Sequence, residues 1–224
     1  MQALVLNALY DEHLVFKGGT YLWLFNGLPR FSEDLDFTAV SKFSSGILEK
    51  VSKRLSLLGV ANEARIESND ERSFSFKIMA HGPLYSNQNS RCVVYVEISK
   101  RENVLIETIP IKLDLQEYQL PVRILMGMNL DEVAAEKVRA IMSRNKARDA
   151  YDLYYLIKEK KVKFRKELSD KKLKYMGKNF LLADFKAALN EKDRIFEKEL
   201  ANLVFKPLPR FKEIREVIEE WIKS

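Results

Sequence analysis

The chain has 224 residues, 46% of them hydrophobic and 31% charged, which is the composition of a globular protein long enough to bury a core. No apolar run approaches the roughly 18 residues needed to cross a membrane. Met1-Gln2-Ala3-Leu4-Val5-Leu6 has neither a basic segment nor a small-residue cleavage site, and the single Cys92 cannot make an internal disulfide, so no membrane partner is expected and the cytoplasm is the expected compartment.

Charge is unevenly placed. The net is +6, yet residues 137–178 hold 15 Lys/Arg against 5 Asp/Glu, a net of +10, which leaves −4 for the remainder. A basic second part suggests contact with a polyanion; the plain alternative is a solvated helical surface rich in lysine.

In chain order, Gln2 to Tyr10 reads as a short helix. Leu14-Val15-Phe16 reads as a buried strand entering a Gly18-Gly19 turn. Thr20 to Leu28 is apolar almost all round, as a buried helix would be, and Gly27 and Pro29 end it. Leu35 to Val40 is a second strand, with Asp34 and Asp36 placed to share one face. Ser44 or Ser45 would cap a helix over Gly46 to Leu58, closed by Gly59. The period then changes to two. Asn62 to Ile66, Ser73 to Ala80 and Arg91 to Ser99 read as strands, with Asn69-Asp70 as a hairpin turn. Ile106 to Leu113 and Pro121 to Leu125 are further strand candidates. Asp131 to Arg144 and Arg148 to Lys160 read as helices, followed by Phe185–Asn190, Glu197–Val204 and Ile214–Ile222. No internal repeat is visible, and the lysine-rich stretch around 158–174 is the one low-complexity segment. The expected organisation is an α/β (α+β) core with a mixed sheet over 1–128 and a helical part over 129–224.

Glycines at a strand-to-helix turn let backbone N–H groups approach an anion closely. Two carboxylates beside such a turn can share divalent ions with a triphosphate, since Mg²⁺ takes oxygen ligands and keeps several waters. A third acid is expected on a neighbouring strand. Glu97 is the candidate, because it stands in the apolar run Val93-Val94-Tyr95-Val96-Glu97-Ile98, where an isolated carboxylate costs free energy unless paired or metal-bound. The structural alternatives are a turn cap for Asp34 and a pair with Lys100 or Arg91 for Glu97. His13 and His81 lack any partner spacing for zinc.

The segment Phe16-Lys17-Gly18-Gly19-Thr20-x-Leu22, followed by Arg30-Phe31-Ser32-Glu33-Asp34-Leu35-Asp36-Phe37, resembles the first signature of the AbiEii/AbiGii toxin family. Glu136-Lys137-x-Arg139-Ala140 through Arg144-x-Lys146-x-Arg148-Asp149-x-x-Asp152-Leu153-Tyr154 resembles its second. The two cover about two thirds of the chain, from 14 to 157. Members are nucleotidyltransferases with a DNA-polymerase-β-like core, found in abortive-infection and type IV toxin–antitoxin systems. The resemblance implies metal-binding Asp34 and Asp36, Mg²⁺ or Mn²⁺ as the ion and an NTP as substrate; the third acid departs from the pattern, being Glu97 rather than a clearly placed Asp. It implies catalytic Lys137 and Asp149 or Asp152, and nucleotide contacts from Lys17, Gly18, Gly19, Thr20, Arg30, Ser32, Lys137, Arg144 and Arg148. It also implies a cognate antitoxin as partner.

Read physically, the second motif puts Lys137 and Arg144 inside the apolar arc of their helix, at about 100° per residue, with Val133, Ala134, Val138, Ile141 and Met142. A cation there must reach an anion or snorkel out, and a triphosphate would be such an anion. Arg144, Lys146 and Arg148 are candidates for phosphate contacts. The alternative is structural: Asp149 as N-cap with Asp152 in the first turn, or Lys137 and Asp149 paired across two helices. The leading expectation is a metal-dependent nucleotidyltransferase acting on an acceptor such as a tRNA 3′ end, with Asp36, Glu97 or Asp149 activating the acceptor hydroxyl. Competing expectations are a protein-modifying transferase, nucleotidylating or kinase-like, and a non-catalytic nucleic-acid-binding module.

Overall fold

The computed structural model describes residues 1–41 and 46–223. The chain divides into two compact units, Met1–Tyr21 with Glu33–Met128, and Leu22–Ser32 with the chain from Asn129 onward.

The first unit is built on a seven-stranded sheet. Its strands are β1 (Leu14–Lys17), β2 (Leu35–Ala39), β3 (Asn62–Asn69), β4 (Ser73–Ala80), β5 (Cys92–Ser99), β6 (Ile109–Leu113) and β7 (Arg123–Gly127), in spatial order β3-β4-β5-β2-β1-β7-β6. β1 with β7 and β2 with β5 are parallel, and the other neighbours are antiparallel, so the sheet is mixed as expected. Alternation is clean in the centre. Phe74, Phe76 and Ile78 of β4 are buried, as are Val94, Val96 and Ile98 of β5 and Leu35 and Phe37 of β2. Helices α1 (Gln2–Ala8) and α3 (Ile47–Leu57) bury Val5, Leu6, Val51 and Leu55, and Arg54 ties them together by donating to the Ala8 carbonyl at 2.7 Å. Gly46 stands at the N-cap of α3; the expected Ser44 or Ser45 cap lies outside the described residues.

Helix α2 (Gly18–Asn26) starts directly at the end of β1, with no intervening loop. Gly18 makes that possible with φ +77, a conformation that L side chains rarely adopt. The second strand begins at Leu35 as expected and ends at Ala39, one residue short of the expected Val40. β2 begins at Leu35, so Asp34 is the last residue of the lead-in and only Asp36 is on the strand.

The second unit contains α4 (Leu130–Ser143), α5 (Arg148–Lys160), α6 (Lys166–Lys174), α7 (Leu182–Glu191), α8 (Asp193–Leu200) and α9 (Phe211–Trp221). Asn129 caps α4, accepting from the Asp131 N–H at 3.0 Å. α6 has no counterpart among the expected elements, because the lysine-rich stretch hides a helix. Leu168 and Leu173 are buried on it, and so is Lys172, which reaches Glu132 at 2.7 Å and Glu136 at 3.0 Å on α4. The Leu22–Ser32 segment is woven into this unit. Phe31 N–H donates to the Leu203 carbonyl at 2.8 Å, and Phe205 N–H to the Pro29 carbonyl at 2.9 Å. The Trp23 and Phe31 rings lie 4.9 Å apart, and the Tyr155 hydroxyl donates to the Asn26 carbonyl at 2.7 Å. No helix among the described residues is long and apolar enough to cross a membrane.

Candidate functional site

In the first unit, one sheet face carries a row of polar residues. Lys17 of β1 stands opposite Asp36 of β2, Asp36 beside Glu97 of β5, and Glu97 opposite Ser75 of β4. Residues in register on adjacent strands project to the same side, so Asp36 and Glu97 are cross-strand neighbours. The start of α2 closes down on this row. A Cβ added to Gly18 would lie 2.1 Å from Asp36 Oδ2, so the carboxylate packs where any other residue would collide. Thr20, fully buried, donates its hydroxyl to the Asp34 carbonyl at 2.5 Å and fixes the backbone that leads into Asp36. Thr20 was expected among the nucleotide contacts; its hydroxyl is occupied instead in shaping the turn.

Glu97 differs from its expected setting. It is exposed, as are Val93 at 42% and Tyr95 at 47% on the same face of β5, so the apolar run does not place it in a dry interior. Among the described residues its side chain has no ion pair, neither with Lys100 nor with Arg91, which pairs with Glu63 at 2.9 Å. Lys17, expected at the nucleotide, lies 3.7 Å from the buried Glu102.

No three His, Cys, Asp or Glu side chains among the described residues are grouped to hold a metal ion unaided. The donor chemistry nevertheless fits a hard cation. Mg²⁺ is commonly held by one or two carboxylates together with substrate phosphates and water, and Asp36 with Asp34 or Glu97 supplies such oxygens beside a glycine turn against which the Asp36 carboxylate packs.

The second unit holds a different arrangement, a chain of alternating charges. Arg30 is 2% exposed; its Nη1 donates to the Phe31 carbonyl at 2.8 Å, and its Nε and Nη2 donate to the two oxygens of Asp152 at 2.5 and 2.7 Å. Lys137 Nζ lies between Asp152 Oδ2 at 2.6 Å and Asp149 Oδ1 at 3.0 Å. Arg144 closes the chain, donating from Nε and Nη2 to Asp149 at 2.8 and 2.9 Å. Asp149 and Asp152 are fully buried. Burial alone would raise their pKa values, but Lys137 and Arg144 around Asp149, and Arg30 and Lys137 around Asp152, outweigh it and hold both carboxyls below the usual range. Both aspartates are therefore ionised, and the five-member chain carries one net positive charge.

Three expectations change here. Arg30 was expected at the nucleotide, but its guanidinium is committed to Asp152 and a backbone carbonyl. The helix N-cap is Ala147 rather than Asp149, whose carboxylate turns toward Lys137 and Arg144 instead of its own helix end. Arg144 lies beyond α4, in extended backbone with φ −144, and its side chain is 51% exposed, so it was never part of the apolar arc. Lys137 is in that arc as expected, 6% exposed. Arg148 sits 3.9 Å from Glu199, Lys146 is exposed and Ser32 is half-buried.

Two residues escaped the sequence reading. Glu199 accepts the Ala147 N–H at 2.6 Å and so caps the start of α5 from 52 residues away. Lys192 is 2% exposed near Asp149 and Glu199, and burial pulls its pKa down against the pull of Glu191 and those two acids. Neither has a local spacing signal; both become visible only through long-range packing.

A family model described as nucleotidyl transferase AbiEii toxin, type IV toxin–antitoxin system, matches residues 1–220. Among solved structures, a Helicobacter pylori protein described as a candidate nucleotidyltransferase is similar, with a TM-score of 0.70 and 22% identity over 100% of this chain and 92% of that one. JHP933 from Helicobacter pylori is similar at a TM-score of 0.65 and 21% identity, over 100% and 89%. MenT4, a nucleotidyltransferase toxin from Mycobacterium tuberculosis, is similar at a TM-score of 0.63 and 21% identity, over 99% and 80%. No curated protein matches in sequence.

Proposed function

The chain belongs to the AbiEii nucleotidyltransferase toxin family, and from that premise we propose that it transfers a nucleotidyl group from an NTP to the 3′ end of an RNA acceptor such as tRNA. It does so with a divalent metal, as the toxin of a type IV system restrained by a cognate antitoxin. The observation that carries the reading is the pairing of Asp36 with Glu97 beside a glycine turn that only an unsubstituted Cα can make.

In this reading Gly18 and Gly19 bring backbone N–H groups at the start of α2 to the triphosphate. Asp34, Asp36 and Glu97 would hold Mg²⁺ or Mn²⁺, which would offset the negative charge that develops during transfer. Asp36 or Glu97 accepts the proton of the acceptor hydroxyl as its oxygen bonds to the α-phosphorus, and the α–β phosphoanhydride bond breaks to release pyrophosphate. Asp149 is a poor choice for that task, since two cations depress its proton affinity. Asp149 and Asp152 instead hold Lys137 in a fixed place, and the half-exposed Arg144 is the second unit's phosphate contact. Arg148 and Lys146 extend that charge toward the acceptor backbone.

The test is incubation of the full chain with Mg²⁺, total RNA and NTPs labelled at the α or γ position. Label from the α position on RNA, lost by roughly 10³-fold or more in Asp36→Ala, is the expected outcome. Label from the γ position alone would replace nucleotidyl by phosphoryl transfer, and α label on protein would replace the acceptor.

A further inference from the structure

The polar sheet face does not stop at Glu97. Two residues back along β5, on the same side, stands Tyr95, opposite Lys77 of β4, which stands opposite Arg65 of β3. One row further, Val93, Met79 and Glu63 line up in the same way. This end of the sheet is open. Tyr95 is 47% exposed, Val93 42%, and the Arg65 side chain 71%. Among the described residues no ring or cation stacks on Tyr95. An exposed aromatic on a sheet face is the kind of side chain on which unstacked nucleobases lie in sheet-based RNA binders.

We propose that this face is a stacking platform for the terminal base of a single-stranded nucleic acid acceptor, with Tyr95 as the stacking ring and Arg65 as the phosphate contact. The proposal rests on the nucleotidyl-transfer reading. Continuity with the carboxylate row selects the occupant. Tyr95 and Glu97 are two residues apart on an extended strand, about 7 Å, the size of one nucleoside. A base lying on Tyr95 therefore has its own ribose hydroxyl at the Asp36–Glu97 row. The charges agree with an anionic backbone along the outer strands. Glu67 neutralises Lys77 at 2.8 Å and Arg91 neutralises Glu63 at 2.9 Å, while Arg65 reaches Glu67 only at 4.0 Å and keeps its guanidinium in solvent. Stacking on a single ring is sequence-tolerant, because every base offers a π face, so the platform selects a free strand end rather than a sequence.

The experiment is fluorescence anisotropy of a 5′-labelled single-stranded oligoribonucleotide, and of the same sequence as a blunt duplex, titrated with the full chain and its variants. Tyr95→Ala should weaken single-strand binding by about 5- to 50-fold. Tyr95→Phe and Tyr95→Trp should retain it within about two-fold, and duplex binding should not respond to any of the three. Arg65→Gln should flatten the dependence of affinity on salt. In the transfer assay Tyr95→Ala should raise the KM for acceptor and leave the KM for NTP unchanged. Undiminished single-strand affinity in Tyr95→Ala overturns the proposal, as does an equal loss in Tyr95→Phe. A KM effect confined to the NTP also overturns it, since the ring would then hold the donor's base. The two readings separate cleanly: a chain that binds through Tyr95 but transfers nothing removes the proposed chemistry and keeps the platform.

Discussion

Asp36 and Asp152 are both motif aspartates, and they are held in opposite ways. Asp36 lies on an accessible sheet face beside an exposed Glu97, packed against a glycine. Asp152 is fully buried, with both oxygens taken by Arg30 and one shared with Lys137. The first arrangement sets a half-buried carboxylate against the start of a helix, one strand away from an exposed one. The second has committed its oxygens to internal partners. The two motif aspartates thus differ in setting, one half-buried on a sheet face and one sealed among cations inside a helical unit. A buried ion pair is weak evidence for stability in itself, yet breaking one from a single side is costly, because the other charge is left uncompensated.

That contrast can be broken in several ways. The largest effect is expected for Asp152→Ala, which strands Arg30 and Lys137. Denaturant unfolding should show a loss of about 3–5 kcal/mol, and a loss under about 1 kcal/mol would mean the charge chain does not hold the second unit together. Next comes pH. The folded pKa values of Asp149 and Asp152 lie below the unfolded value of roughly 3.9, so their contribution is complete above that value and is lost as pH falls through the window beneath it. Unfolding midpoints should hold steady from about pH 7 to 5 and fall below about pH 4. Asp152→Asn should blunt that fall. Arg144→Gln should cost about 1 kcal/mol, because half of its side chain is in water, while the transfer rate falls. Glu97→Gln is the smallest in stability, within about 0.5 kcal/mol, and should still reduce transfer. A large loss of stability there would show that Glu97 is held by the fold after all.

How far the sequence reached follows from the range of each interaction. β4 was legible to the residue, Ser73–Ala80, because one strand's alternation is a local signal, and so was α5 as Arg148–Lys160. Lys137 was legible as a cation on an apolar face. α6 was not, since one of its core positions is Lys172, whose burial depends on Glu132 and Glu136 on another helix. Arg30 was misread for the same reason: its partner is 122 residues away. Glu97 was misread differently. An apolar run implies burial on both faces, but Val93 and Tyr95 are apolar and exposed, which no composition rule anticipates. The carboxylate row itself was half visible, as an aspartate pair and a lone glutamate, while their adjacency came only from the β2–β5 register.

The weaving of Leu22–Ser32 into the helical unit has a practical consequence for anyone dissecting the molecule. A cut between Met128 and Asn129 would look natural on a topology diagram, yet it would orphan this segment. A fragment ending there would carry Trp23 and Phe31 without Phe205, and Arg30 without the carboxylate that neutralises it. The orphaned stretch leads directly into Asp34 and Asp36. Such a fragment should therefore be recovered aggregated or inactive, whereas co-expression of residues 1–128 with residues 129–224 should restore solubility by returning the segment to its bed.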